Sequence, residues 1–440
     1  MTKDKPSWIA RFPLVPLVLV LGACGGEDAD GPADPLPQNV PPSEHQVLQS
    51  QKQRITAPAT VTPELRKLVA GNSDFAWALY HSLTAKEDGN LFYSPQSISQ
   101  ALAMTYAGAR NNTEQQMERV LRFTLGQSGV HPAFNQLDQA MASRGTGAKG
   151  KDGKGFRLKV ANAAWGQTGY GFMQAYLDIL AEYYGAGMYL LDFASWPEPS
   201  RKIINSWVAQ NTEGKITELL ERNTIDGTTR LVLTNTVYFN AAWDKVFPQE
   251  LSRPGDFNLL DGKKVQVPTM TQAETFPYAG GSGYQAVELP YDGKELSMVI
   301  VVPDAGQLAT IENKLSAQFV DSVAGSLAPT GISLTLPKWQ VRSKLKLKDH
   351  LEAMGMTDAF DGRADFSGIN GGAESLYITD VIHEATVSVD EKGTEAAAAT
   401  AVPMSWGVPP SVTVDRPFIY LIRDIATGSV VFVGRVVDPR

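Results

Sequence analysis

The chain has a single cysteine, Cys24, in 440 residues. An intrachain disulfide is therefore impossible, and a cysteine-based zinc site is excluded. Histidine is scarce too. His45, His81, His131, His350 and His383 are scattered and form no His-x-x-x-His pair, so neither a metal site nor a cofactor is expected. Positive charge is not in excess: the formal net charge is −8, which argues against a nucleic-acid partner. Also missing are a G-x-S-x-G elbow, an H-E-x-x-H pair and a dinucleotide fingerprint, so no enzyme class announces itself. What is present, 43% hydrophobic and 20% charged residues, describes a globular chain able to bury a large core.

Two motifs come close to chemistry and fall short. Residues 145–151 read G-x-x-x-x-G-K, but Asp152 follows where a phosphate loop needs Ser or Thr. This Gly/Lys-rich stretch is expected to be a solvated loop. Ser343-Lys344-Leu345-Lys346 reads S-x-x-K, the start of a penicillin-type acyl-enzyme site, yet the accompanying S-D-N and K-T-G elements are absent. An amphipathic turn before a helix is the plainer expectation. An envelope acyl-enzyme using Ser343 is the weakest alternative.

The N-terminus begins with Lys3, Lys5 and Arg11, followed by an apolar run at 12–23 that contains Pro13 and Pro16. Its twelve residues would rise ~18 Å as a helix, against a hydrocarbon core of ~30 Å. It is too short to span and has the length of a signal-peptide core. The ending Leu21-Gly22-Ala23-Cys24 resembles the bacterial lipoprotein box, which implies cleavage before Cys24, lipidation of its sulfur and anchoring in a membrane; a plain secretory signal is the alternative. Gly25 after the cysteine resembles outer-membrane sorting, hence a bacterial cell-envelope location at the outer membrane or cell surface. Residues 1–23 are then a signal peptide. Residues 24–61 are the lipidated cysteine and a Pro/Asp/Gln/Ser-rich flexible tether. Residues 62–440 are the folded domain.

Helical periodicity starts at Thr62-Pro63-Glu64 and again after Ser94-Pro95, with further helices at 114–123, 172–184, 199–211 and 347–356. Strand patterns occupy 231–239, 284–290, 296–302, 332–336, 377–389, 411–414, 417–423 and 429–437. Helices come early and strands late, so the class is α+β.

The informative stretch is 377–437. A strand ending near Val389 and another starting at Val412 flank about twenty residues, long for a connection in a compact domain. The first half, Glu391 to Ala401, is small and nearly uncharged after Lys392; the second carries Pro403, Met404, Trp406, Pro409 and Pro410. In an extended chain Thr394, Ala396, Ala398 and Thr400 share one face, and Glu395, Ala397, Ala399 and Ala401 the other. Such a segment could enter a sheet without burying charge on the first face. An exposed Ala-rich helix is the alternative.

At this point the sequence resembles the serpin family of serine-protease inhibitors, across residues 64–440. The resemblance rests on Glu391-Lys392-Gly393-Thr394-Glu395-Ala396-Ala397-Ala398-Ala399 as the inhibitory hinge and on Asp415-Arg416-Pro417-Phe418 as the family signature. It rests also on Asn90 to Ile98 as the start of the second helix and on Leu233 to Trp243 as a central strand. It implies three β-sheets with about eight or nine helices and an exposed reactive-centre loop. It also implies a monomer that traps a target serine protease when the cleaved hinge inserts as a new strand. Ser94, Ser97, Asn235 and His383 match the polar cluster where the sheet parts, although satisfied core polar groups would look the same. Trp243 matches the hinge-entry region, although it could be a plain core aromatic.

The scissile bond is left open. Counting forward from Glu391 gives Gly407-Val408; counting back from Pro417 gives Trp406-Gly407. Trp406 offers a pocket-filling anchor and ranks first; Met404-Ser405 is next. None is Arg or Lys, so chymotrypsin-, elastase- or subtilisin-like targets are expected rather than trypsin-like ones. A non-inhibitory binding protein of the same fold is the main alternative.

Overall fold

The computed structural model describes residues 45–150, 155–393 and 410–440. The reactive-bond candidates Met404, Ser405, Trp406, Gly407 and Val408, the hinge residues Thr394, Glu395, Ala396, Ala397, Ala398 and Ala399, and the lipidation candidate Cys24 lie outside them.

The described helices are α1 (Pro63–Thr84), α2 (Pro95–Tyr106), α3 (Asn111–Leu121), α4 (Gly126–Ala142), α5 (Gln174–Ile179), α6 (Pro197–Asn211), α7 (Leu308–Glu312), α8 (Ala317–Ser326), α9 (Lys348–Ala353) and α10 (Ser367–Asn370). The early strands are β1 (Gln46–Leu48), β2 (Leu91–Tyr93), β3 (Arg157–Gln167), β4 (Met188–Leu191), β5 (Leu231–Asn240), β6 (Arg253–Asn258) and β7 (Lys264–Gly281). The later ones are β8 (Tyr284–Pro290), β9 (Leu296–Pro303), β10 (Ala328–Pro337), β11 (Trp339–Lys346), β12 (Val381–Val389), β13 (Ser411–Thr413), β14 (Phe418–Asp424) and β15 (Val430–Val436). Among the described residues no helix is long and apolar enough to cross a membrane.

Local chemistry sets the early helix starts. Thr62 caps α1, its hydroxyl accepting the Leu65 amide at 3.1 Å, and Ser94 caps α2 by accepting the Ser97 amide. In both, proline fills the first turn, where no amide donor is missed. Every residue of α2 is buried. It packs between the two sheets, against β5 of one and β15 of the other.

The six-stranded sheet runs β1-β4-β3-β5-β12-β11. Its fourth and fifth strands, β5 and β12, are parallel, in register from Val381 opposite Leu233 to Thr386 opposite Tyr238. Their outer neighbours β3 and β11 run antiparallel to them. The second set has nine strands, β13-β10-β7-β8-β9-β14-β15-β2, with β6 on β7. Its two portions meet only through β7, which pairs with β6 and β10 along most of its length and with β8 over Tyr278–Gly281. The three sheets implied by the resemblance are thus present as two hydrogen-bonded sets, one of them double. The described helical segments number ten rather than eight or nine, four of them six residues or shorter.

Three sequence expectations change. Residues 46–60, assigned to the flexible tether, pack on the body. The strand β1 extends the six-stranded sheet at β4. Arg54 bonds Asn135 at 2.9 Å and Asp138 at 2.6 Å, and Gln136 donates to the carbonyls of Pro58 and Thr60. Polar groups, not apolar periodicity, hold this strap, so the pattern did not show it. The helix expected at 172–184 is α5 continued by a π-helical turn, Leu180–Tyr184.

The third change concerns Ser343, which lies on β11 and not in a turn before a helix. It is buried, and its hydroxyl accepts the Phe92 amide at 2.9 Å. Strand alternation puts Lys346 on the opposite face, where both it and Lys344 reach Glu221. The acyl-enzyme reading therefore fails on geometry. In the phosphate-loop lookalike, the amides of Gly145 and Lys149 already bond the carboxylates of Glu295 and Asp292.

Candidate functional site

A line of polar side chains crosses the inner face of the six-stranded sheet. The register places Asn162 of β3 opposite Asn235 of β5, and Asn235 opposite His383 of β12. The α2 cap brings Ser94 and Ser97 down onto this row. All four residues expected to cluster are at most 1% exposed and do meet. The Ser94 amide donates to Nε2 of His383 at 3.1 Å. The imidazole proton therefore sits on Nδ1 and is donated to Oδ1 of Asn235. The Asn235 amide donates in turn to Oγ of Ser97, at 2.5 Å, and to Oδ1 of Asn162. Ser97 Oγ closes the ring by donating to Oδ1 of Asn162 at 3.2 Å. Asn162 was missed because β3 is rich in Ala and weak as a strand pattern.

Burial pushes the His383 pKa down to about 3, because a charged imidazole has no water there. The neutral ring accepts one bond and donates one. The cluster ties two parallel neighbours to a helix end through side chains and the Ser94 amide.

Above it, β12 ends in a tight turn. The Gly393 amide donates to the Asp390 carbonyl at 3.0 Å, and the Asp390 amide to the Gly393 carbonyl at 3.3 Å. Gly393 has φ +89°, and a Cβ there would stand 2.3 Å from the Trp243 amide nitrogen. Only glycine fits this position. Trp243 donates its indole NH to the Asp390 carbonyl at 3.1 Å and stacks on Tyr291 at 4.7 Å. It is thus both a core aromatic and a contact of the turn. Glu391 is buried in the turn, ion-paired with Lys338 and accepting the Ser252 hydroxyl at 2.6 Å. Burial would raise its carboxyl pKa, but Lys338 and Ser252 outweigh burial and hold it below the usual range. Lys338, Ser252 and Tyr291 come from strand ends far apart in sequence, and no local pattern marked them.

The chain is next described at Pro410, whose carbonyl accepts the Ser333 amide at 3.0 Å, and β13 then runs parallel to β10. Sixteen residues, 394–409, separate the two anchors. Among the described residues no group of acidic, His or Cys side chains could hold a metal ion.

Known proteins match this arrangement along nearly the whole chain. The family model described as "Serpin (serine protease inhibitor)" matches residues 70–439. An uncharacterised serpin-like protein of Thermococcus kodakarensis is 36% identical over 96% of this chain and 97% of its own. Leukocyte elastase inhibitor of Bos taurus is 36% identical over 85% of this chain and all of its own. Among solved structures, tengpin, a thermophilic serpin in its native state, superposes with a TM-score of 0.78 and 27% identity, covering 90% of this chain and 100% of its own. Uncleaved ovalbumin gives 0.77 and 27%, covering 85% of this chain and 100% of its own.

Proposed function

This chain belongs to the serpin family, and from that membership we propose that it inhibits serine proteases as a suicide substrate, the cleaved loop inserting between β5 and β12. The observation that carries the reading is the parallel seam. On either side of it the neighbours are antiparallel; β3 and β4 form a second, shorter parallel pair, but only β5 and β12 include the strand from which the chain runs on toward the loop. A strand running the other way between them would convert the weaker parallel pairing into two antiparallel ladders. The chain leaves β12 through a turn already bridged as an antiparallel pair, Asp390 with Gly393. Continuing that register sets Thr394 beside Val389, Ala396 beside Val387, Ala398 beside Ala385 and Thr400 beside His383. These are the small, uncharged positions, and their β12 partners are all buried.

The balance of such a reaction is a race. The protease forms an acyl-enzyme through its own serine, the new amine end departs with the C-terminal piece of the loop, and water would complete hydrolysis. Insertion must win before water does. The intact fold is then a kinetically held state above a more stable inserted one. Trp406 anchors the target pocket in this reading, with Met404 the next choice. Incubation with chymotrypsin should give an SDS-stable complex, and the released peptide should begin at Gly407. A peptide beginning at Ser405 moves the anchor to Met404. Cleavage without complex, and no gain in thermal stability after the cut, would make this a non-inhibitory binding protein.

We place the inhibitor on the bacterial envelope through a lipid on Cys24, a reading supported by the lipoprotein-like box at 21–24. Cys24→Ser should leave the membrane fraction with the body's inhibition unchanged; retention of that variant in membranes would sink the anchor alone.

A further inference from the structure

The outer face of the seam holds a charge that the reaction scheme above does not use. Glu384 follows His383 on β12 and points the other way, under the layer formed by α6 and the segment 212–230. Its side chain is 0% exposed. One carboxylate oxygen, Oε1, takes the Arg342 guanidinium at 2.5 Å, but Arg342 itself is half-exposed. The other oxygen, Oε2, is buried and has no hydrogen-bond partner among the described residues. The register puts Thr236 of β5 on one side and Lys344 of β11 on the other. Lys344 is engaged elsewhere, with the Glu221 carboxylate at 2.9 Å and the Glu218 carbonyl at 3.2 Å. The same two residues help bind the covering segment: Glu221 also reaches Lys346, and Glu218 pairs with Arg201 of α6.

A buried carboxylate with half its acceptor capacity empty penalises whatever state buries it. Here that state is the closed sheet with its cover seated. Parting β5 from β12 removes Thr236 from beside Glu384, and lifting the α6 layer lets water reach both oxygens. We propose that Glu384 is a positioning residue for strand insertion: its under-paired carboxylate keeps the closed seam from settling and so lowers the barrier to opening. The proposal deepens the inhibitor reading and rests on it for its effect on protease trapping, but not for its effect on the seam itself.

The variant Glu384→Gln keeps the shape and removes the charge. The intact protein's unfolding midpoint should rise by about 2–5 °C. Hydrogen exchange of the β5 and β12 amides should slow by about tenfold. The number of inhibitor molecules consumed per protease trapped should rise at least about twofold, because deacylation gains on a slower insertion. Stability and inhibition would thus move in opposite directions, which a purely structural role would not produce. Arg342→Met should lower the midpoint in the wild-type background and hardly move it beside Glu384→Gln. A lower or unchanged midpoint in Glu384→Gln, or unslowed exchange at the seam, overturns the proposal. So does a higher midpoint with unchanged stoichiometry where the wild type traps protease. A wild type that traps no protease would instead defeat the inhibitor reading, and the exchange rates would still decide the role of Glu384.

Discussion

In the nine-stranded set, the strands β9, β14 and β15 bury Met298, Ile300, Val301, Ile419, Leu421, Val431 and Val433, each at most 1% exposed. In the six-stranded sheet, the strands β5 and β12 bury Thr234, Asn235, Thr236, His383 and Glu384, each 0% exposed. Apolar packing is non-directional and is lost in proportion to the area parted. A polar row is directional and can be handed from one partner to another if each group finds a new bond. The two sheets therefore differ in what it costs to open them, although the residues named in both are buried. In the proposed reaction the re-pairable contacts lie at the seam that opens, and the other sheet stays closed.

The sharpest test of this division lies in the hinge. Thr394→Arg puts a cation on the face that must pass beneath the sheet, at a cost of several kcal/mol unless it finds a partner. The variant should be cleaved by chymotrypsin and released, with no SDS-stable complex, while the intact midpoint is unchanged. A wild-type yield of complex from this variant would remove the inner face of the seam from the mechanism.

The converse test lies in the second sheet. Ile300 of β9 is fully buried, opposite Tyr420 and Val287. Ile300→Ala should cost about 2–5 kcal/mol from lost packing and the cavity left behind. It should do so equally before and after loop cleavage, with the ratio of trapped to released protease unaltered. Denaturant titration of both forms measures this. Unequal losses would show that the second sheet also rearranges.

Legibility in the sequence followed the same division. The apolar and β-branched runs of β5, β8, β9, β14 and β15 were readable because burial on one or both faces leaves a direct pattern. The α2 start was readable from Ser94 and Pro95, and Gly393 from its place in the hinge. The strand β7 was hidden by Pro268 and Pro277. The burial of Glu384 was not legible for a more instructive reason. Along β12 it alternates with buried residues, which ordinarily marks a solvent face, but α6 and its following segment cover that face with Ile204, Val208, Leu219 and Leu220. Alternation shows that a strand has two faces; it does not show what lies over the second one.

The smallest effect expected is a pH dependence, and it bears on the polar row most directly. His383 has its folded-state pKa lowered to about 3 by burial, and its unperturbed value is 6.5. The unfolded chain therefore takes up this proton first as pH falls. The stabilising contribution is complete above the unfolded value and is lost progressively between about pH 6.5 and pH 3, at about 1.4 kcal/mol per pH unit. His131, lowered to about 4 by the same cause, adds a similar slope from a site in α4, bonded to Tyr184 and Gln127. In His383→Gln the row stays neutral at every pH and can still offer an acceptor to the Ser94 amide and a donor to Asn235. The variant should be less stable than wild type at pH 7.5, because the ring's fit is lost, and the gap should close as pH falls from 6 toward 4. Urea unfolding at half-unit pH steps resolves that convergence. His131→Gln serves as the reference: it should flatten the acid slope comparably without touching the seam, so only His383→Gln should also change how much cleaved protein becomes trapped complex. Parallel stability curves for wild type and His383→Gln across pH 6 to 4 would mean that the imidazole is not held neutral, and the buried row would need a different account.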